Sequence, residues 1–332
     1  MNPNTLELIK STKKEIWRGA PTTKQNHNGG ALAFGNDRKL YVTTGDGGDR
    51  SSVQALSNSH GSIIRLNDDG SVPSDNPFAD QAKFNSYRCA DTGGVVPANA
   101  PKDSICSEVF ANGLRNPFRI EMDLNEKEKV RFAVSDVGGN HWEEISWAGT
   151  DFAGRNYGYP EHEGPCLHGR SNQCPLPEDK KFLEPFHWYA HRRLKEGGCV
   201  AGAVIVPNDA GWPSGYKFLF ADFIFFQIYN LIEDSDAYCR ACVPPLPAYR
   251  NETFYEITPR VAGEEKGRVT DIFFGPYKVS EVFTILTTNI AHFFLRFLTK
   301  KIFHTISGYA STLYCSSWRY GKSHKNPLHW GC

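Results

Sequence analysis

Methionine is almost missing from this chain, with 2 among 332 residues, and so is any bias of charge: 37 Lys+Arg stand against 37 Asp+Glu. A balanced surface has no net field to draw in nucleic acid or an anionic membrane, so neither is expected as a partner. Sustained helical periodicity is absent, and so is a tight internal repeat. No carboxylate series has the spacing of an EF-hand. The pair Cys239 and Cys242 is followed by no second CxxC, which argues against a zinc ribbon. The opening MNPNTLELIKSTKKEIW has no apolar core of the kind a signal peptide needs. The one long apolar run, EVFTILTTNIAHFFLRFLTKKIFHTI, is broken by His292, Arg296, Lys300 and Lys301. Those charges exclude a transmembrane span and leave a membrane-surface helix, or a tail foreign to the fold, as readings.

What is plentiful is Gly (30), Pro (20), Phe (22) and Tyr (14). That mixture favours short strands joined by turns. Apolar runs of strand length occur at Lys39–Thr43, Ser62–Leu66, Phe118–Asp123, Val130–Ser135 and Glu143–Trp147. They continue at Ala203–Val206, Phe218–Asp222, Gln227–Leu231, Phe254–Ile257 and Val269–Phe274. Turn clusters such as Asn67-Asp68-Asp69-Gly70 separate them. The expected class is all-β, either a propeller of diverged blades or a large sandwich. Cys89 with Cys106, and Cys166 with Cys174, have the spacing of loop-closing disulfides. Cys239 with Cys242 reads as a third, with a metal pair as the alternative. Together with the sequon at Asn251, they place the protein in the secretory pathway or outside the cell. A leader would then lie outside the sequence.

Three stretches carry candidate chemistry. In QNHNGGALAFGNDRKLYVTTGDGGD, His27 stands among amides and glycines ahead of a strand, and Asp46 follows that strand in a glycine-rich turn. An imidazole there can take a proton from a hydroxyl, or simply decorate a surface loop. In FANGLRNPFRIEMD, Arg115 and Asn116 precede Pro117, which disfavours helix at Asn116. The guanidinium can polarise a carbonyl, bind an anion or cap a strand turn. In SDVGGNHWEEIS, Gly138 and Gly139 let the backbone approach a ligand with carbonyls outward, as calcium requires, or make a tight turn.

Read in order, NHNGG, FGNDRKLYVTTGDGG, GSIIRLNDDGSVPSDNPF, NGLRNPFR, SDVGGNHWEEI and GRNYGYP resemble the soluble glucose/sorbosone dehydrogenases over roughly residues 25–275. These are pyrroloquinoline quinone (PQQ)-dependent aldose sugar dehydrogenases, and the same domain occurs in hedgehog-interacting-protein-like proteins. The resemblance implies a six-bladed β-propeller with the cofactor over its axis. It implies His27 as the base acting on a sugar's anomeric hydroxyl, and Arg115 with Asn116 on the quinone oxygens. The carbonyls of Gly138 and Gly139 match a calcium position, and Arg268 a contact to cofactor carboxylates. Asn26 and Asp46 join the set as cofactor contacts. Two positions depart from the family: Tyr159 where tryptophan is usual, and Thr270 where some members carry a second arginine.

The fold expectation is therefore an all-β, six-bladed propeller type, incomplete at its N-terminal side, with an atypical basic tail. Residues 1–24 form a partial N-terminal segment, 25–278 the propeller and 279–332 the tail. The expected function is hydride transfer from an aldose or related CH–OH donor to PQQ, with calcium. The alternative is a secreted, non-catalytic propeller whose insertions between Pro77 and Cys106 and between Pro160 and Cys199 meet a protein partner.

Overall fold

A hairpin begins the ordered sheet structure. Leu32–Phe34 (β1) turns at Gly35–Arg38 into Leu40–Thr44 (β2), with Arg38 N–H on Gly35 O and Arg38 at φ 60°. Ser62–Leu66 (β3) and Val109–Asn112 (β4) complete an antiparallel sheet in the order β1-β2-β3-β4. Pro117–Met122 (β5), Arg131–Asp136 (β6), Trp142–Gly149 (β7) and His187–Ala190 (β8) form a second sheet. Val200–Ile205 (β9), Phe218–Asp222 (β10), Gln227–Glu233 (β11) and Tyr249–Glu256 (β12) form a third. Arg268–Gly275 (β13) pairs with Thr312–Trp318 (β14). The computed structural model describes residues 10–22, 24–175, 181–191, 198–242, 245–256, 268–275 and 312–318. The apolar run singled out in the tail lies outside these residues, but β14 belongs to that tail.

The first strand of each sheet faces a shared centre: β5 packs against both β1 and β9, and β9 packs against β13. That is blade geometry, and it decides between the two all-β architectures in favour of the propeller. Among the described residues there are three four-stranded blades, the β13–β14 ladder and two short pairings, Ser86–Tyr87 with Ile105–Cys106 and His162–Glu163 with Cys166–Leu167. The only α-helical turn among them is Gln81–Phe84, and no helix is long and apolar enough to cross a membrane.

Aromatic side chains fill the seams between blades. Tyr41 meets Phe110 and Phe132 edge-on between the first and second sheets. Ile145, Tyr189, Val200 and Phe220 form the seam between the second and third. A buried ring of this kind stabilises the fold by roughly 1.5–3 kcal/mol. Each predicted disulfide is present: Cys89–Cys106, Cys166–Cys174 and Cys239–Cys242. The last settles the CxxC as a covalent bridge rather than a metal pair.

Antiparallel order has one consequence for chemistry. The segment entering β1, the β2–β3 connection, the β4–β5 crossover and the β6–β7 turn must all emerge at one end of the blades. Those four segments carry His27, Asp46, Arg115–Asn116 and Gly138–Gly139.

Candidate active site

Backbone contacts hold the four segments together. Asp46 N–H donates to Arg115 O at 2.8 Å, and Gly47 N–H to His27 O at 3.0 Å. Gly29 N–H donates to Asn116 Oδ1 at 3.2 Å. The close approach explains Gly45: a Cβ there would stand 2.0 Å from His27 O. His27 itself has φ 53°, a left-handed conformation that costs a non-glycine residue on the order of 1 kcal/mol. The surrounding hydrogen bonds hold it there.

That conformation aims the imidazole at Asp46. His27 Nδ1 lies 2.8 Å from Asp46 Oδ1, and both side chains are buried, at 10% and 3% exposure. A carboxylate only accepts, so Nδ1 carries the proton and the Nε2 lone pair is the basic atom. Among the described residues nothing else bonds the ring. Asp46 is held by two further donors: Gly48 N–H on Oδ1 at 2.7 Å and Tyr159 O–H on Oδ2 at 2.9 Å. Burial pushes the Asp46 carboxyl up. The hydrogen bonds from His27, Gly48 and Tyr159 outweigh it and hold the carboxyl below the ordinary aspartate range. Both oxygens of Asp46 are thus taken by the protein. Its geometry suits a residue orienting His27.

Arg115 and Asn116 are fixed through their backbone. Their N–H groups donate to the two oxygens of Asp136, at 2.9 and 2.6 Å. Burial pushes Asp136 up to about 7, against the pull of those two N–H groups and of Arg115. The Arg115 side chain is half-buried and spends one donor, Nη1, on Val137 O at 2.9 Å. Among the described residues the rest of its fork makes no hydrogen bond, and the buried Asn26 Oδ1 has no hydrogen-bond partner. Sequence reasoning did not find Asp136, because its role depends on a crossover 20 residues earlier in the chain folding back onto it.

The Gly138–Gly139 turn wraps an anion of the protein's own. The N–H groups of Gly139, Asn140, His141 and Trp142 all converge on Glu163 Oε1, at 2.7–3.1 Å. Burial raises the Glu163 carboxyl, but these four donors more than reverse it and hold it below the usual range. Gly138 is required for a reason that the motif does not reveal: a Cβ there would lie 1.5 Å from Trp142 O. With the turn's N–H groups directed to Glu163, the carbonyls of Gly138 and Gly139 accept no hydrogen bond among the described residues. They suit a hard cation. Among the described residues no cluster of three or more His, Cys, Asp and Glu side chains could hold a metal. Arg268 opens β13; the expectation placed on its side chain lies outside the described residues.

Tyr159 joins the two halves of the site. Its hydroxyl holds Asp46, and its ring meets His168 edge-on, with centroids 5.3 Å apart. Replacing Tyr159 by Phe removes one donor from a depressed carboxylate. The expected loss is roughly 1–2 kcal/mol at pH 7. A depressed carboxyl stabilises the fold above its unfolded value near 4 and loses that contribution as pH falls through its folded value. Denaturation of Tyr159→Phe should therefore differ from the parent at pH 7 and converge with it near pH 3. A gap that widens in acid would refute this account of Asp46.

Residues 5–89 match the family described as Glucose / Sorbosone dehydrogenase. The HIPL2 protein of Arabidopsis thaliana is 27% identical over 262 residues, covering 73% of this chain and 35% of the relative. Quinoprotein glucose dehydrogenase B of Acinetobacter calcoaceticus is 30% identical over 169 residues, covering 45% and 29%. The chain therefore spans about a third of the length of these relatives. The apo-form of the soluble aldose sugar dehydrogenase from Escherichia coli superposes with a TM-score of 0.51 at 19% identity, covering 79% of this chain and 62% of that one. By its matched residues this chain is similar to the glucose/sorbosone dehydrogenases, and its blade architecture is that of the superposed propeller.

Proposed function

We propose that this site oxidises a CH–OH donor of the aldose class, with PQQ as electron acceptor and calcium beside it. The observation that carries the reading is the buried His27–Asp46 pair, with Nε2 unbonded, on a backbone shared with Arg115 and Asn116. The resemblance to a quinoprotein supports the choice of acceptor.

The donor set fits such a group. Arg115 has unspent N–H groups for a carbonyl or carboxylate, and the Asn116 amide stands next to it. Asn26 Oδ1 is a buried acceptor awaiting an O–H or N–H. The carbonyls of Gly138 and Gly139 would hold calcium. Bound PQQ supplies a two-electron acceptor for hydride. His27 Nε2 takes the hydroxyl proton of the donor as its C–H bond breaks, so an aldose leaves as the lactone. Asp46 then faces an imidazolium and stabilises it. Arg115 would supply positive charge beside the acceptor through its unspent N–H groups. Burial of the His27–Asp46 pair strengthens both effects.

A second reading rests on a different observation. The disulfide loops Cys89–Cys106 and Cys166–Cys174 present ordered surface of the kind that meets a protein partner, and the HIPL2 match covers most of the chain. Titrating the folded protein with PQQ separates the two. The dehydrogenase reading expects saturable binding that weakens at least tenfold when calcium is chelated and returns when it is restored. A folded protein that binds no quinone with calcium present would leave the partner-binding reading. Either reading suits an oxidising compartment, since Cys89–Cys106, Cys166–Cys174 and Cys239–Cys242 are bridged.

A further inference from the structure

The chemistry above makes no use of His168, yet the fold builds a place for it. Cys166–Cys174 closes its loop, His168 N–H donates to Glu161 O at 2.9 Å, and His141 Nε2 reaches Gly169 O at 3.1 Å. The ring lies over the glycine turn: its Cε1 is 2.9 Å from where a Cβ on Gly139 would stand, and Arg115 Nε is 3.6 Å from the same point. His168 is thus at the site, beside Arg115, with its side chain 14% exposed.

Its two nitrogens are unequal. Nδ1 is buried, has no hydrogen-bond partner and faces Glu163 Oε2 at 3.3 Å. A carboxylate on that side favours the proton on Nδ1 and leaves the Nε2 lone pair as acceptor. Among the described residues nothing bonds Nε2. The arrangement repeats that of His27: an imidazole with a carboxylate behind Nδ1 and an open Nε2. The two rings are linked through one tyrosine, since Tyr159 touches His168 with its ring and Asp46 with its hydroxyl.

We propose that His168 is a specificity-determining residue whose Nε2 accepts a hydrogen bond from a second hydroxyl of the donor, so that the site selects polyhydroxylated donors over simple alcohols. The inference rests on the dehydrogenase reading and deepens it. A site built to bond a hydroxyl rejects the analogue that lacks it.

The test is a panel of monodeoxy aldoses, compared by kcat/KM with the parent sugar in the protein and in His168→Ala and His168→Gln. PQQ affinity is measured alongside as a check on the fold. The parent protein should discriminate against one monodeoxy analogue by about tenfold or more. His168→Ala should lose that discrimination while binding PQQ as before, and His168→Gln, whose amide oxygen can accept, should keep part of it. A His168→Ala protein that oxidises the parent sugar with discrimination unchanged overturns the inference and leaves the dehydrogenase reading standing. A parent protein that binds PQQ but oxidises no CH–OH donor overturns both.

Discussion

Replacing His27 by Ala is expected to lower turnover by 10²–10⁴-fold, the range for removal of a positioned general base, with quinone affinity changed by no more than about threefold. The expectation follows from where the ring is held. His27 Nδ1 is committed to Asp46, and only Nε2 is open. The other open imidazole at the site is His168, which lies over the Gly139 turn beside Arg115; the two carboxylates in reach are committed. Asp46 has three donors on it, and Asp136 has two. Steady-state kinetics with a saturating aldose, together with a quinone titration, separates loss of the base from loss of the fold. Turnover by His27→Ala near the parent rate would show that another group takes the proton.

Replacing Asp46 by Asn should cost about a hundredfold in kcat, for a different reason. The amide can keep its oxygen toward Gly48 N–H and His27 Nδ1–H, so the ring need not turn. What disappears is the negative charge facing the imidazolium that forms as the hydroxyl proton moves. The loss should therefore depend on His27 being present. In a His27→Ala background, Asp46→Asn should add less than about threefold, because the two act as one unit. An additive double variant would mean that Asp46 acts on its own, as the cofactor contact first expected.

Much of the fold could be read from the residues. All ten apolar runs with turn clusters at their ends became strands, with small shifts at the ends. Apart from β14, which lies in the tail read as foreign to the fold, the strands that escaped reading are short. Leu32–Phe34 has three residues, Val109–Asn112 is buried throughout, and His187–Ala190 is an aromatic stretch set by its pairing with β7. Such segments become strands because a neighbour fixes their register, and no local period announces that. The disulfides were legible because close spacing leaves few other partners.

The site was legible in its parts and not in its connections. His27, Asp46, Arg115 and Asn116 each stood out by residue type. That Asp46 serves His27 required knowing that β2 returns the chain to the end where His27 lies. The bare carbonyls at Gly138 and Gly139 likewise depend on Glu163, which gathers four N–H groups from across a separate turn. Glu163 and His168 lie in a stretch whose sequence signals only a closed loop. Its side chains acquire meaning when Cys166–Cys174 folds it against Tyr159 and Gly139.

The most direct measurement is a single-turnover experiment under anaerobic conditions. The protein is loaded with PQQ and calcium, mixed with an aldose, and the quinone absorbance is followed. The account predicts sugar-dependent bleaching in the parent protein and bleaching slowed at least a hundredfold in His27→Ala, with both proteins fully loaded. Bound quinone that stays oxidised with the parent protein, or is reduced equally fast in both, would contradict the assignment of His27 as the base of a sugar-oxidising site.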